Sequence, residues 1–437
     1  MKFRLTNFGK VQNADIRLDG ITVIVGPNGS GKSTISRAMM TWCSVIRRME
    51  DLALIERLKS LRDAVNEILR SNDVPVIRFS MLWERGFSIK FLVPEVWRNE
   101  EMVAKLLRRS MDPYQRRYAD ARRYGEGVAA MVERIIGLYE KIAPVVEQVA
   151  RKDEREYGKE ILEEAFRRAF DEDLASFTSK VESGSIHSES DSGKRRMAEF
   201  RDGELLNVEG LWGNHAPHSF YLEPFHLLDL IQSVPRFGRW DLFAENRYQA
   251  GDEDWGRLMF HDADMTEWSV ERKRRHEELM RALDEILNLI HGQAVNVDQG
   301  VKFYDVDVGH EISIQNVASG AKSMAVLARG IKSGIVAPGS LLIIDEPESN
   351  LHPAWQISFA KFLVLLHHRF EFKIFINTHS PYFMRAMDVF AQDFGVNPSS
   401  RAFYRMVKKD AGYATDDVTN CVNKAFEDMY LPLERLM

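Results

Sequence analysis

The chain has 437 residues, of which 45% are hydrophobic, 28% charged and 10% aromatic; this is the usage of a folded chain of two to three structural units, not of a disordered or collagenous one. Its 59 Lys+Arg against 65 Asp+Glu leave a net charge of −6, which excludes a chain-wide polycation built to coat nucleic acid and leaves only regional basic stripes. Cys43 and Cys421 stand far apart without a CxxC spacing, which excludes a disulfide framework and a cysteine zinc site and makes a reducing cytoplasm the expected location. The opening MKFRLTNFGKVQNADIRL has no apolar signal-peptide core, and no run reaches the ~18 apolar residues of a membrane span. Neither export nor a membrane partner is expected.

In chain order, the first segments read as strands over Lys2 to Phe8, Ala14 to Leu18 and Ile21 to Val25. The third is an apolar, β-branched run that enters a glycine loop, as at a βα turn. From Ile35 to about Arg70 apolar residues recur at helical spacing through Met39, Trp42, Ile46, Met49, Leu52 and Ile55. Arg78 to Val93 reads as a hairpin turning at Arg85-Gly86, and Glu100 to about Phe177 reads as helical and rich in mixed charge. Residues 178–203 are dense in Ser, Gly and charge, and are expected to form a mobile loop. Ser219 to Ile231 is apolar again, and Glu271 to Ile290 is a charged amphipathic helix. Past Gly300 the pattern is α/β, with strand-like GVKFYDVDV and HEISI, a helix from about Ala321, a strand Leu341 to Ile344, a helix from Pro353 and a strand Lys373 to Ile376. No repeat of 20 to 50 residues is present.

The loop Gly26-Pro27-Asn28-Gly29-Ser30-Gly31-Lys32-Ser33-Thr34 carries Gly, Gly, Lys and Ser at the fixed positions of G-x-x-x-x-G-K-[ST]. Its glycines let backbone N–H groups turn inward around a β-phosphate, and Lys32 supplies a point charge to the β and γ oxygens. The Ser33 hydroxyl completes a Mg²⁺ shell, and the helix that follows points its positive end at the phosphates. LLIIDEP at 341–347 delivers Asp345 and Glu346 at the carboxyl end of a buried strand, where ligands of open α/β sheets sit. Asp345 is placed to hold Mg²⁺ and Glu346 to polarise the attacking water as general base. An apolar strand ending in Asp-Glu is commonplace by itself; paired with the glycine loop it becomes the second half of a nucleotide site.

These residues resemble the ATP-binding-cassette ATPase heads, in the branch that includes the OLD (overcoming lysogenisation defect), RecF and structural-maintenance-of-chromosomes proteins. The resemblance rests on GPNGSGKST at 26–34, VASGAKS at 317–323, LLIIDEPESNLHP at 341–353 and INTHSPYF at 376–383. The third and fourth look especially like OLD-type bacterial ATPases, many of them in anti-phage defence. The resemblance implies an α/β fold, a P-loop ATPase head with a mixed sheet flanked by helices and a large, mainly helical insertion. It implies ATP and Mg²⁺ as ligands, Ser319 and Gly320 as the signature that caps the γ-phosphate bound to the opposite protomer, and His379 as the switch histidine that senses the γ-phosphate. Ser349, Asn350 and His352 match the segment that crosses the dimer interface. On the residues alone, Ser319-Gly320 is equally a helix N-cap and His352-Pro353 an ordinary helix start. Ala321 departs from the usual Gly or Glu of the signature, and Gln232 and Gln249 are candidates for the Q-loop glutamine by position only.

The resemblance divides the chain into a head at 1–45 and 219–437 and an insertion at 46–218. Within the insertion, Lys105 to Arg123 carries seven basic and two acidic residues interleaved with Tyr114, Tyr118 and Tyr124. That composition suits either a DNA surface or a solvated helical face; RKRR at 272–275 is a second, shorter basic run with the same two readings. Only 58 residues follow His379 and Asp416-Asp417 is an isolated acidic pair, so a Toprim nuclease domain is not expected within the chain. The expectation is an Mg-dependent ATPase that forms a homodimer around ATP, or a larger assembly, and regulates a separate effector such as a nuclease. A DNA-binding clamp and an ATP-binding scaffold with negligible turnover stand as alternatives.

Overall fold

The computed structural model describes residues 1–71, 154–171, 173–177, 183–213, 216–222, 268–289, 292–297, 300–313, 316–317, 319–334, 336–409 and 412–434, with a few single positions between 126 and 148. The expected hairpin at 78–93, the basic stretch at 105–123, and Gln232 and Gln249 lie outside the described residues. The chain divides into two compact units, one of Met1–Arg47, Leu162–Trp240 and Asn246–Met437, the other of Arg48–Ile161 and Asp241–Glu245.

In the larger unit, strands β1 (Lys2–Phe8), β2 (Val11–Arg17) and β3 (Ile21–Val25) lead into helix α1 (Lys32–Ser71), which crosses into the smaller unit, and α2 (Glu154–Ala169) leads back. There follow β4 (Gly184–Glu189), β5 (Arg195–Arg201), β6 (Glu204–Glu209), β7 (Ser219–Leu222), α3 (Val270–Leu289), β8 (Gly292–Val297), β9 (Gly300–Asp305), β10 (His310–Ser313), α4 (Ser319–Lys332) and β11 (Leu341–Asp345). The chain ends with α5 (Pro353–Phe370), β12 (Lys373–Thr378), α6 (Pro381–Asp393), β13 (Arg401–Lys409), β14 (Gly412–Asp417) and α7 (Val422–Glu434). Eleven described strands form one sheet in the order β6-β5-β4-β1-β2-β14-β13-β3-β12-β11-β7, and β10-β9-β8 form a second.

The middle of the large sheet is parallel: β3 pairs with β12 and β13, and β11 with β12 and β7. Strands of this kind are covered on both faces, which is why ITVIV of β3 and LLIID of β11 are buried at every position. Alternation then sorts the side chains. Ile21, Val23, Val25, Leu342, Ile344, Ile374 and Ile376 join one buried cluster with residues of α3, α4, α5 and α6. Asp345 and Asn377, one position out of step with that set, face the side where the first turns of α1 lie, since the Asn377 amide donates to the backbone oxygen of Lys32.

Residues 178–203 correct the expectation of a mobile loop. Within them β4 pairs antiparallel with both β1 and β5, and the Ser190–Lys194 backbone bond closes the turn between them. Composition hid the strands because their inward positions alternate polar and apolar types: Gly184, Ile186 and Ser188 in β4, and Arg196, Ala198 and Phe200 in β5, are all buried. Ser188 is buried because its hydroxyl accepts the indole N–H of Trp42 at 2.9 Å. Leu162–Trp240 belongs to the same compact unit as Met1–Arg47 and Asn246–Met437. Strands β13 and β14, unassigned from the sequence, complete the sheet between β3 and β2.

On β1, Phe8 meets Phe166, Phe170, Phe177 and Phe200 with centroids 5.2 to 6.2 Å apart. In the smaller unit the described part is the remainder of α1 and the start of α2, where the Arg57 guanidinium lies 5.2 Å above the Tyr157 ring. Burial pushes the Tyr157 phenol up, against the opposing charge of Arg57. Phe166 is fully buried, and truncating it leaves a cavity that the surrounding rings cannot close. Phe166→Ala is expected to cost about 3–5 kcal/mol, read as a lower urea midpoint at unchanged slope; a loss below about 1 kcal/mol would show that the aromatic cluster is not a packed core.

Candidate functional site

The loop 26–31 leaves the carboxyl end of β3 and runs directly into α1. Gly29 and Gly31 have φ of 72° and 93°, which L side chains rarely adopt. A Cβ on Gly31 would also stand 2.7 Å from Val11 Cγ2, and one on Gly26 2.7 Å from Met406 Cβ. The loop is thus packed against β2 and β13 at its glycines, and its curvature follows from them.

Lys32 is 5% exposed, and its Nζ donates to the carbonyls of Gly26 and Pro27 at 2.7 and 3.0 Å. Burial lowers its pKa, while Glu346, Asp345 and Glu348 pull the other way. Asp345 is 3% exposed; burial raises its carboxyl, opposed by hydrogen bonds from Ser36, Asn377, Ser33 and Tyr221. The measured contacts are Ser36 Oγ at 2.5 Å and Asn377 Nδ2 at 2.7 Å to Oδ1, and Tyr221 Oη at 3.1 Å to Oδ2. Ser33, 312 positions before Asp345 in the sequence, is near enough for its hydroxyl to favour the charged form of that carboxyl. A serine hydroxyl and a carboxylate side by side form a hard oxygen pair of the kind that holds Mg²⁺ together with phosphate oxygens and water. The buried Ser30 hydroxyl has no partner and sits inside the loop's turn, near Gly26. The residues present fit a Mg-triphosphate.

Glu346 follows at the strand end with φ 45°, a left-handed conformation that costs a glutamate about 1–3 kcal/mol and that the surroundings must hold. Its N–H donates to the Asn377 carbonyl at 2.8 Å, and its carboxylate accepts from Ser349 Oγ at 3.2 Å. His379 Nδ1 stands 3.6 Å from Glu346 and 3.3 Å from Glu348. These residues border a cavity of about 440 Å³ that Asn350 and Tyr382 also line. The structure thus brings Lys32, Ser33, Asp345, Glu346 and His379 to one end of the sheet. It sets Ser319 and Gly320 on the first turn of α4. His352 caps α5 by accepting from the Ala354 N–H, with Pro353 as its first residue, so the ordinary helix-start reading describes this residue. Asp416 of the C-terminal acidic pair bonds Arg405, and Asp417 accepts from Thr419.

Four site residues were not singled out by sequence reasoning: Ser36, which bonds Asp345 from the start of α1, and Tyr221, Asn377 and Glu348. Tyr221 and Asn377 contact Asp345 because they occupy the same face of neighbouring strands, a register that only strand order reveals. Glu348 is buried and accepts from Thr378 Oγ1 and the N–H groups of His379 and Ser380. Its signal was available in the run DEPE, where a second glutamate stands two residues after the first.

A family model described as "AAA domain, putative AbiEii toxin, Type IV TA system" matches residues 139–385, more than half of the chain. The chain belongs to this AAA-domain family. A second family model, described as AAA domain, matches residues 2–71, so the two matches take in both halves of the nucleotide site. Among solved structures, the AAA chain is similar to the SMC head domain from Thermotoga maritima at 11% identity and TM-score 0.39, covering 95% of this chain and 98% of that one. It is similar to an SMC head bound to the C-terminal winged-helix domain of ScpA at 12% identity and TM-score 0.40, covering 95% and 96%. It is also similar to an SMC head with a coiled coil and joint from Pyrococcus yayanosii at 12% identity and TM-score 0.35, covering 99% of each. No curated protein matches the chain. No described helix is long and apolar enough to cross a membrane.

A lysine whose folded pKa lies below its ordinary 10.5 opposes folding at neutral pH, and the penalty is relieved as pH rises through the folded value. Lys32→Met removes that buried charge. The ligand-free variant is expected to unfold at a higher temperature than the parent at pH 7, with the gap narrowing towards pH 10; a lower midpoint at pH 7 would mean that the lysine's two loop bonds outweigh its burial.

Proposed function

We propose that this chain is a Mg-dependent ATPase that closes into a homodimer around ATP and acts as the regulatory or sensor subunit of a bacterial defence system, with a separate effector such as a nuclease. The observation that carries the catalytic part is the meeting of the start of α1 with the Asp345 carboxylate at the end of β11, where Ser36 donates to Asp345 and the Asn377 amide bonds both Asp345 and the Lys32 carbonyl. The loop amides and Lys32 take the phosphates, and Ser33 and Asp345 hold the ion. When bound, Mg²⁺ offsets triphosphate charge and polarises the γ-phosphoryl group. Glu346, aimed into the cavity by its left-handed backbone, orients and deprotonates the attacking water. His379 reads the γ-phosphate from the neighbouring strand end. Ser319 and Gly320, on the N-terminal turn of α4, present free N–H groups to the phosphate of the opposite protomer. The defence setting is supported by the OLD-like runs at 341–353 and 376–383 and by the toxin–antitoxin wording attached to the matching family.

Phosphate release and nucleotide binding on paired variants test this reading. Lys32→Ala is expected to abolish ATP binding. Glu346→Gln is expected to keep ATP affinity while turnover drops by at least about 100-fold, the contribution of a positioned general base, and to accumulate an ATP-dependent dimer by light scattering. Parental turnover in Glu346→Gln would show that the base lies elsewhere, and a monomer at saturating ATP would remove the clamp from the proposal.

A further inference from the structure

Glu348 has no role in the chemistry described above, yet it is buried and one of its oxygens is held by several donors. Its side chain is 4% exposed. One oxygen, Oε1, accepts from Thr378 Oγ1 at 2.7 Å, the His379 N–H at 2.7 Å and the Ser380 N–H at 3.0 Å, and lies 3.3 Å from His379 Nδ1. The three donors and the nearby imidazole nitrogen all belong to Thr378, His379 and Ser380, where β12 passes into α6. The same segment is tied again further along, where Ser380 caps α6 and donates from its hydroxyl to Gln356 at 2.7 Å. Glu346, the other carboxylate near the imidazole, stands further off at 3.6 Å.

We infer that Glu348 is the positioning residue for His379: it fixes the backbone on which the histidine rides and takes the proton of Nδ1, leaving Nε2 to face the nucleotide. The ring nitrogen that a partner engages decides which nitrogen remains available. A buried carboxylate with three other donors holds that choice more firmly than a half-exposed surface group would. His379 is itself 43% exposed, so its own packing does not set its orientation. This inference rests on the assignment of His379 as reader of the γ-phosphate, and it adds the group through which that reading is made specific.

The test is a double-mutant cycle in the full-length chain, read as the ratio of ADP to ATP dissociation constants and, in parallel, as kcat and KM for phosphate release. Glu348→Ala and His379→Ala are each expected to reduce preference for ATP over ADP at least five-fold and to lower kcat about ten-fold or more, with ADP affinity within two-fold of the parent. Because Glu348 acts through the histidine, the double variant is expected to match His379→Ala alone. Glu348→Gln, which keeps an oxygen acceptor, is expected to recover most of the loss. Should Glu348→Ala fail to fold, Glu348→Asp, whose carboxylate ends one methylene short of these donors, enters the same cycle with the same expected non-additivity. Additive losses, or equal weakening of ADP and ATP, would overturn the inference and make Glu348 a general scaffold residue. If the parent binds ATP without turnover, the ATPase reading falls while the affinity cycle still decides the role of Glu348.

Discussion

Asp345 is the point at which this molecule is tied together. A carboxylate removed from water is costly unless donors surround it, and here the donors come from three separate segments: Ser36 on the helix after the loop, Tyr221 on β7 and Asn377 on β12. No two of these segments adjoin in sequence, so satisfying one side chain requires that β7, β11 and β12 lie side by side with the start of α1 against them. The same arrangement sets a buried Lys32 against Asp345, Glu346 and Glu348, three acidic groups that temper its loss of hydration without removing it. A pocket preloaded with one buried cation and hard oxygen ligands is matched to a polyanion accompanied by a divalent ion, and less well matched to a neutral ligand.

The end of β12 couples this cluster to a second one on the opposite face. Asn377 turns towards α1 and bonds the Lys32 carbonyl, Ser36 and Asp345. Thr378, one residue later, turns the other way and donates to Glu348. Strand alternation therefore makes two consecutive residues the link between the ion-binding oxygens and the segment that carries His379. The carbonyl of Asn377 also receives the N–H of Glu346, so one strand end positions Glu346, Asp345 and the segment that carries His379. A shift of this strand along its neighbours would be felt at all three, which links this end of the site to the α5–α6 layer.

Much of the site was legible because its parts are local. The glycine loop needs its glycines within six residues, and Asp345 with Glu346 needs only a buried strand ahead of it; both patterns survive without knowledge of the remaining chain. The central strands were legible for a related reason, since burial on both faces leaves unbroken apolar runs such as ITVIV and LLIID. The strands β4 and β5 were not. Their inward positions include Gly184, Ser188 and Arg196, and what makes these acceptable in a core is a partner from elsewhere: the Trp42 indole for Ser188, the Gly213 carbonyl for Arg196. A polar residue satisfied by a distant segment looks, in sequence, the same as a polar residue in solvent.

The sequence by itself determined the phosphate loop, the acidic strand end and the identity of the strands that carry them, because each is specified by residue types at short, fixed spacing. Tertiary structure alone decided that Tyr221 and Asn377 would complete the shell of Asp345, that Glu348 would be buried beneath His379, and that residues 184–209 would extend the sheet. Those outcomes depend on which strands lie side by side and in what register, and register is a property of pairs of segments that no single segment encodes.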